Sequence, residues 1–435
     1  MAASVETAFL IFGGIILIGY LGDLLAKRFA VPNVLLLLVI GYLLRLSGYV
    51  EAAALAGIQG IFGSLALVVL LFDGGLSLNI YDVVFKSGRV LVNSVLTTVL
   101  GIIGAALLFL ALGLDPLIGA ILGAIAGGLG STTTISIVKS LGVPGSIKSF
   151  LTLESSITDV FSIILALVLT QALVSGAIDA QNIGQGIVTK LSVGLFVGLV
   201  TGILSLVLLL KVEKGYNYMI TFAIVLLLYS LTEFLAGSGA IAVLVFGVVF
   251  GNEVSIRRMF RLGHEGQRPI VREFQNEISF FIRTFFFVFL GVVVSLGSIE
   301  NFAIGLLFTL LLYGIRYASV SLSTKGSDMA AFSKILTAVN PRGLATAVLA
   351  TYPLILVQSM LSSGQDGGLA ALLPQLSRLP EVAFYIIILS IIFTTIAVPL
   401  VMRRNGKDEE DLGEMQAEAE KEKELEEEAS EGKSP

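Results

Sequence analysis

The run Ser149-Phe150-Leu151-Thr152-Leu153-Glu154-Ser155-Ser156-Ile157-Thr158-Asp159-Val160-Phe161 puts a carboxylate inside an otherwise apolar stretch that continues through Leu173. A residue about ten positions into a spanning helix lies roughly 15 Å deep, near the middle of a ~30 Å hydrocarbon layer. Charge at that depth is expensive and by default marks an ion or proton pathway.

The rest of the chain supports reading that stretch as a membrane helix. Of 435 residues, 56% are hydrophobic and 14% are charged, with a mean hydropathy of +0.95. Soluble domains average about a quarter charged residues. Apolar runs of about 20 residues recur, as in a polytopic α-helical membrane protein, whereas a transmembrane barrel would show short alternating segments. Forty-seven glycines suit close helix packing and interrupted helices. The absence of cysteine excludes disulfides and thiolate metal sites. The first apolar run lacks a basic n-region and a small-residue cleavage site, so it is expected to remain as a span. No nucleophile–base pair or metal-ligand cluster stands out, which argues against an enzyme and against a resident cofactor.

Hydropathy predicts about 13 transmembrane helices, near 6–25, 32–48, 57–78, 90–112, 116–140, 150–173, 187–210, 217–235, 238–251, 278–297, 301–323, 333–357 and 382–402. Basic residues then alternate between the two sides. Lys27/Arg28, Lys86/Arg89, Lys139/Lys148, Lys211/Lys214, the cluster Arg257, Arg258, Arg261, Arg268, Arg272, then Lys325/Lys334 and Arg403/Arg404/Lys407 share one side. The other side carries Glu51, Asp115, Asp179, Glu233 and Glu300, with Arg378 and Lys190 as basic exceptions. The positive-inside rule predicts an outside N-terminus and a cytoplasmic C-terminus for a multi-pass protein of the cytoplasmic membrane. A transmembrane domain is expected over 1–404, with 252–277 as an amphipathic linker along the cytoplasmic face. An acidic, partly disordered cytoplasmic tail follows over 405–435. The net charge of −5 reflects acids gathered in that tail.

Two spans contain breaks. The fifth holds Ala126-Gly127-Gly128-Leu129-Gly130-Ser131-Thr132-Thr133-Thr134 and the twelfth holds Asn340-Pro341-Arg342-Gly343. Three glycines followed by four hydroxyls make a poor continuous helix, and Pro341 removes a backbone donor. Such segments are tolerated at membrane depth only where they line a cavity or are buried in protein. The breaks lie seven spans apart, so the two helices are predicted to run in opposite directions, as in an inverted-repeat transporter.

At these residues the chain resembles the monovalent cation/proton antiporters, and within them the NhaP-like sodium/proton exchangers. Leu71-Phe72-Asp73-Gly74-Gly75-Leu76-Ser77-Leu78 resembles their third-helix motif. Glu154-Ser155-Ser156-Ile157-Thr158-Asp159 is similar to their Glu-Ser-x-x-Asn-Asp ion-site motif, and Asn340-Pro341-Arg342-Gly343-Leu344 to their late Arg-Gly-Leu segment. The resemblance covers about residues 5–403. It implies an all-α fold with two crossed broken helices and a homodimer whose protomers interleave a dimerisation domain with a six-helix core. The core is expected to move like an elevator. Two positions depart from the family: Thr158 stands where Asn or Asp is usual, and Leu129-Gly130-Ser131 where Thr-Asp-Pro is usual. The Ser131–Thr134 run is closer to the Kef-type potassium/proton branch.

Asp159 is the expected shared site for cation and proton. Carboxyl oxygens in a low dielectric hold either a proton or a dehydrated cation, and the two exclude each other. The resemblance makes Asp73 and Ser155 co-ligands for Na+ or K+, with Thr158 beside them. A hard alkali cation takes several oxygens, and the hydroxyls of Thr132 or Thr133 could replace those of the missing Thr-Asp pair. Alternatively, Asp73 caps a helix end and Ser155 bonds back to its own helix. Glu154 is read as the structural partner of a buried arginine. Of Arg316 and Arg342, one is expected to pair with Glu154 or Asp73 and one to neutralise helix ends at the crossing. Arg283 is expected to snorkel. His264, the only histidine, falls in the linker. The run Phe285-Phe286-Phe287-Val288-Phe289 is read as lipid-facing or packing surface. The readings that follow are electroneutral exchange of Na+ or Li+ for H+, the same exchange with K+, and, more remotely, sodium-coupled organic-anion symport. Partners are the transported ions, membrane lipid and a second copy of the chain, with no nucleic acid.

Overall fold

The computed structural model describes residues 10, 13–22, 24, 33–48, 52–77, 88–140, 145–178, 183–208, 217–259, 268–293, 298–364 and 368–402. Its helices, in chain order, are α1 (Gly13–Gly22), α2 (Asn33–Leu46), α3 (Ala52–Ser77), α4 (Gly88–Ala111), α5 (Pro116–Ile125), α6 (Ser131–Ser140), α7 (Gly145–Ile178) and α8 (Ile183–Leu208). They continue as α9 (Asn217–Phe234), α10 (Gly239–Gly251), α11 (Glu253–Met259), α12 (Arg268–Val293), α13 (Ile299–Thr324), α14 (Ser333–Ala338), α15 (Leu344–Ser362) and α16 (379–402). No strand occurs among the described residues.

Each predicted span overlaps a helix, or a pair of half-helices where a break was expected. Among the described residues, six helices are long and apolar enough to cross a membrane. The tail 405–435, His264 and the start of the first span lie outside the described residues. The linker 252–277 is divided: α11 is a separate short helix, while residues from Arg268 onward form the first turns of α12, continuous with the tenth span. The phenylalanine run is packing surface, for Phe286 and Phe287 are fully buried and Phe286 stacks on Phe62.

Helix starts follow local chemistry. Pro116 at the first turn of α5 is preceded by Asp115, whose carboxylate accepts the N–H of Leu117 at 2.7 Å. Ser238 and Ser298 cap α10 and α13 in the same way. Around these starts the helices pack in two groups. In one, α2, α3, α8, α9, α10 and α12 pack together; in the other, α4 to α7 pack with α13 and α14. Glycine permits close approach in the first group: a methyl on Gly247 of α10 would lie 2.7 Å from the carbonyl oxygen of Phe72 on α3. Along the seam, α3 meets α7 and α15.

The two broken helices run in opposite directions. Asp115, at the start of α5, bonds Gln375 beyond the end of α15, and Thr346 in the first turn of α15 bonds Ile125 at the end of α5. At the other end, Ile137 of α6 and Ile335 of α14 share one apolar cluster with the start of α7 and the end of α16. The chain therefore passes from the Gln375 end inward through α5 and out through α6, and returns by α14 and α15. Glu300 and Arg378, expected on one side, are ion-paired at 2.6 Å. The other basic exception, Lys190, donates to Gln171 at 2.6 Å and lies near Glu233.

Candidate functional site

The two breaks cross at glycine. Gly130 donates its N–H to the carbonyl of Pro341 at 3.0 Å. A methyl on Gly130 would sit 2.7 Å from the nitrogen of Gly343, and one on Gly343 would sit 3.0 Å from the Cα of Gly130. Any larger side chain at either position would push the half-helices apart.

Four half-helix ends meet there, each leaving unpaired backbone groups that the apolar surroundings cannot solvate. Arg342, fully buried, donates Nη1 to the carbonyls of Gly127 at 3.0 Å and Gly128 at 2.7 Å, just past the end of α5. Its Nη2 donates to Asn340 Oδ1 at 2.9 Å. Arg316 donates Nε to Leu336 O at 2.8 Å, in the last turn of α14. Both cations therefore sit at helix C-termini, where the dipole favours them. The N–H groups of Asn340 and Arg342 donate to Thr394 Oγ1 and Ser390 Oγ of α16 at 3.3 and 3.0 Å.

Arg316 also forms a two-pronged bond to Glu154, with Nη1–Oε1 at 2.7 Å and Nη2–Oε2 at 3.0 Å, both side chains fully buried. Asn93 Nδ2 donates to the same Oε1 at 2.6 Å. Glu154 thus ties α7 to α4 and α13, and Arg342 bonds the end of α5.

Asp159 lies at the N-terminus of α6, where backbone N–H groups favour an anion. Its Oδ2 accepts the N–H of Ser131 at 3.2 Å. Its Oδ1 is buried and has no hydrogen-bond partner among the described residues. The charges of Arg342 and Asp73 both reach it. Asp73 itself belongs to α3, across the seam.

The other expected ligands divide. Ser155 is buried, but its hydroxyl donates back to Thr152 O at 2.9 Å, the alternative noted from the sequence. Thr133 is buried, and the side chain of Thr132 lies outside the described residues. Thr158, expected beside the ion, donates to Glu154 O at 2.8 Å and accepts the N–H of Leu129 at 3.1 Å. Its position therefore terminates the first break. Thr158→Ala should accordingly lower stability by about 1–3 kcal/mol, because the buried Leu129 N–H loses its acceptor. Thermal unfolding in detergent checks this; an unchanged melting temperature would contradict it. Sequence reading missed Asn93, Ser390 and Thr394, polar residues in apolar helices whose partners lie far along the chain.

The profile of the family described as "Sodium/hydrogen exchanger, transmembrane" matches residues 13–403. The chain belongs to the sodium/hydrogen exchanger family. Probable Na(+)/H(+) antiporter 2 of Methanocaldococcus jannaschii is 24% identical over 294 residues, 64% of this chain and 68% of that one. The structure of the sodium proton antiporter MjNhaP1 from the same organism at pH 8 superposes with a TM-score of 0.73 at 21% identity. The match covers 92% of this chain and 98% of that one. An electron-microscopy map of MjNhaP1 gives a TM-score of 0.69 at 21% identity, covering 90% and 95%. The fold of the described residues is thus the antiporter fold, nearly all-helical, and the family is one of multi-pass membrane transporters.

Proposed function

We propose that this chain is a secondary antiporter exchanging Na+ for H+ across the cytoplasmic membrane, with Asp159 holding each ion in turn. The observation that carries the reading is the buried, unpaired Oδ1 of Asp159 beside the crossing of two broken helices. The family match and the names of the relatives support Na+ as the cation. A proton and a dehydrated Na+ compete for the same oxygen, so the site carries one of them on each passage. Because Thr158 and Gly130 stand where a second acid could be, one charge moves each way and the exchange is electroneutral. Li+, small and hard, follows Na+. Potassium is the second reading, favoured by the Ser131–Thr134 run. The family membership gives the symporter reading no support, and it is not carried forward.

Asp73 on one helix group and Asp159 on the other support an elevator motion in which the α4–α7 and α13–α14 group slides along the seam. A cavity of about 260 Å³ enters that seam at the Glu233 end, lined by Ser64, Leu67, Tyr229, Thr351 and Tyr352. This reading includes thirteen spans, an outside N-terminus, a cytoplasmic C-terminus, a homodimer and no cofactor.

Proteoliposomes loaded with a pH dye and pulsed with Na+, Li+ or K+ test it. Na+ and Li+ should drive proton movement insensitive to a clamped membrane potential. Because protons compete with the cation, the apparent KM for Na+ should rise as pH falls. A dominant K+ response selects the second reading, and the absence of any cation-dependent pH change would remove antiport altogether.

A further inference from the structure

We infer that Ser162 is a ligand of the transported cation, its Oγ acting with Asp159 Oδ1 on the same ion. The inference rests on the antiport reading above. Helix α7 buries four hydroxyl side chains, Ser155, Thr158, Ser162 and Thr170. Three of them donate back to their own helix: Ser155 to Thr152 O at 2.9 Å, Thr158 to Glu154 O at 2.8 Å and Thr170 to Ala166 O at 2.7 Å. That backward bond is the ordinary way to satisfy a hydroxyl inside an apolar helix. Ser162, fully buried, does not make it, and its Oγ has no hydrogen-bond partner among the described residues. A buried polar atom left unpaired is costly and calls for a specific explanation.

The neighbour supplies one. Ser162 lies three residues after Asp159, hence on the same face of α7. Asp159 Oδ1 is also unpaired. Both oxygens face the same glycine in the first break: a methyl on Gly128 would lie 2.7 Å from Asp159 Oδ1 and 3.0 Å from Ser162 Oγ. A methyl on Gly127 would lie 3.2 Å from Ser162 Oγ and equally 3.2 Å from the carbonyl oxygens of Gly123 and Ala124, so that hydroxyl faces the unwinding end of α5. Further along the break, the carbonyl of Ile125 is taken by Thr346 and those of Gly127 and Gly128 by Arg342. Facing Gly128, the unpaired groups are one carboxylate oxygen and one hydroxyl oxygen on adjacent turns of α7. A hard monovalent cation takes that donor set, whereas an apolar group or an anion does not.

Ser162→Ala removes an oxygen that holds nothing in the fold, so without Na+ the variant should melt no lower than the parent protein. If Ser162 binds the ion, the apparent KM for Na+ should rise about five- to tenfold. Vmax should stay within about twofold, and the ratio of Na+ to K+ KM should change. The Na+-dependent rise in melting temperature of the detergent-solubilised protein should shrink in parallel. A variant with the parent's KM and the parent's Na+-dependent rise overturns the assignment, as does a fall in Vmax shared by all cations or a lower melting temperature without Na+. If the parent itself shows neither transport nor a Na+-dependent rise, the antiport reading falls and Ser162 falls with it. If the parent responds and the variant matches it, Ser162 falls alone.

Discussion

Asp159→Asn is expected to reduce cation-driven proton movement at least about 100-fold, without unfolding the protein. Asparagine keeps the size of the side chain, and its amide oxygen can still accept the Ser131 N–H that Oδ2 accepts now, so the start of α6 keeps its partner. What disappears is the charge. Removing a unit charge about 4 Å from a bound cation forfeits about 4 kcal/mol at an effective dielectric of about 20, roughly a thousandfold in occupancy. The amide also cannot take up and release a proton in the working range, so both halves of the exchange fail together. Dye-loaded proteoliposomes measure the transport, and thermal unfolding measures the fold. Full Na+-driven alkalinisation by the variant would show that Asp159 is not the carrier. Lost transport with a melting temperature far below the parent's would instead make Asp159 structural.

Much of this architecture was legible because membrane burial punishes exceptions. Glycine and proline in the middle of otherwise apolar runs located both breaks, since no other arrangement leaves a backbone without partners at that depth. The same logic required Arg316 and Arg342 to have acceptors, but their identities were not legible. Glu154 and Arg316 are 162 positions apart, and nothing local favours one acid over another. Hydroxyls were the least readable of all. In the sequence Ser155, Thr158 and Ser162 are small polar residues in one helix, yet Ser155 only bonds backward, Thr158 bonds backward and also holds the Leu129 N–H, and Ser162 is left unpaired. The difference depends on what packs against each face of α7, which periodicity alone does not reveal. The stretch 252–277 shows a related limit: its charge density did not reveal that α12 begins at Arg268.

Breaking the Glu154–Arg316 pair from one side should cost more stability than any other substitution argued here, about 3–5 kcal/mol for Glu154→Ala. Both side chains are fully excluded from solvent, so the arginine cannot recover its loss by turning to water. Its remaining contact, Nε to Leu336 O, satisfies one donor and no charge. Asn93 would lose its acceptor as well. Removing both charges together is a different matter, because an apolar pair of similar volume avoids the desolvation cost of two ions. Glu154→Leu with Arg316→Met should therefore recover a large part of the stability lost in either single variant. It should not recover all of it, since the C-terminus of α14 would then lack its cation. Thermal unfolding of the two single variants and the double variant gives the coupling directly. Additive losses would mean that the pair holds nothing together. The protein that remains folded in Glu154→Gln should keep the parent's KM for Na+, because Glu154 holds α7 in place while Asp159 binds the ion. A KM shift as large as that expected for Ser162→Ala would move Glu154 from the frame into the site.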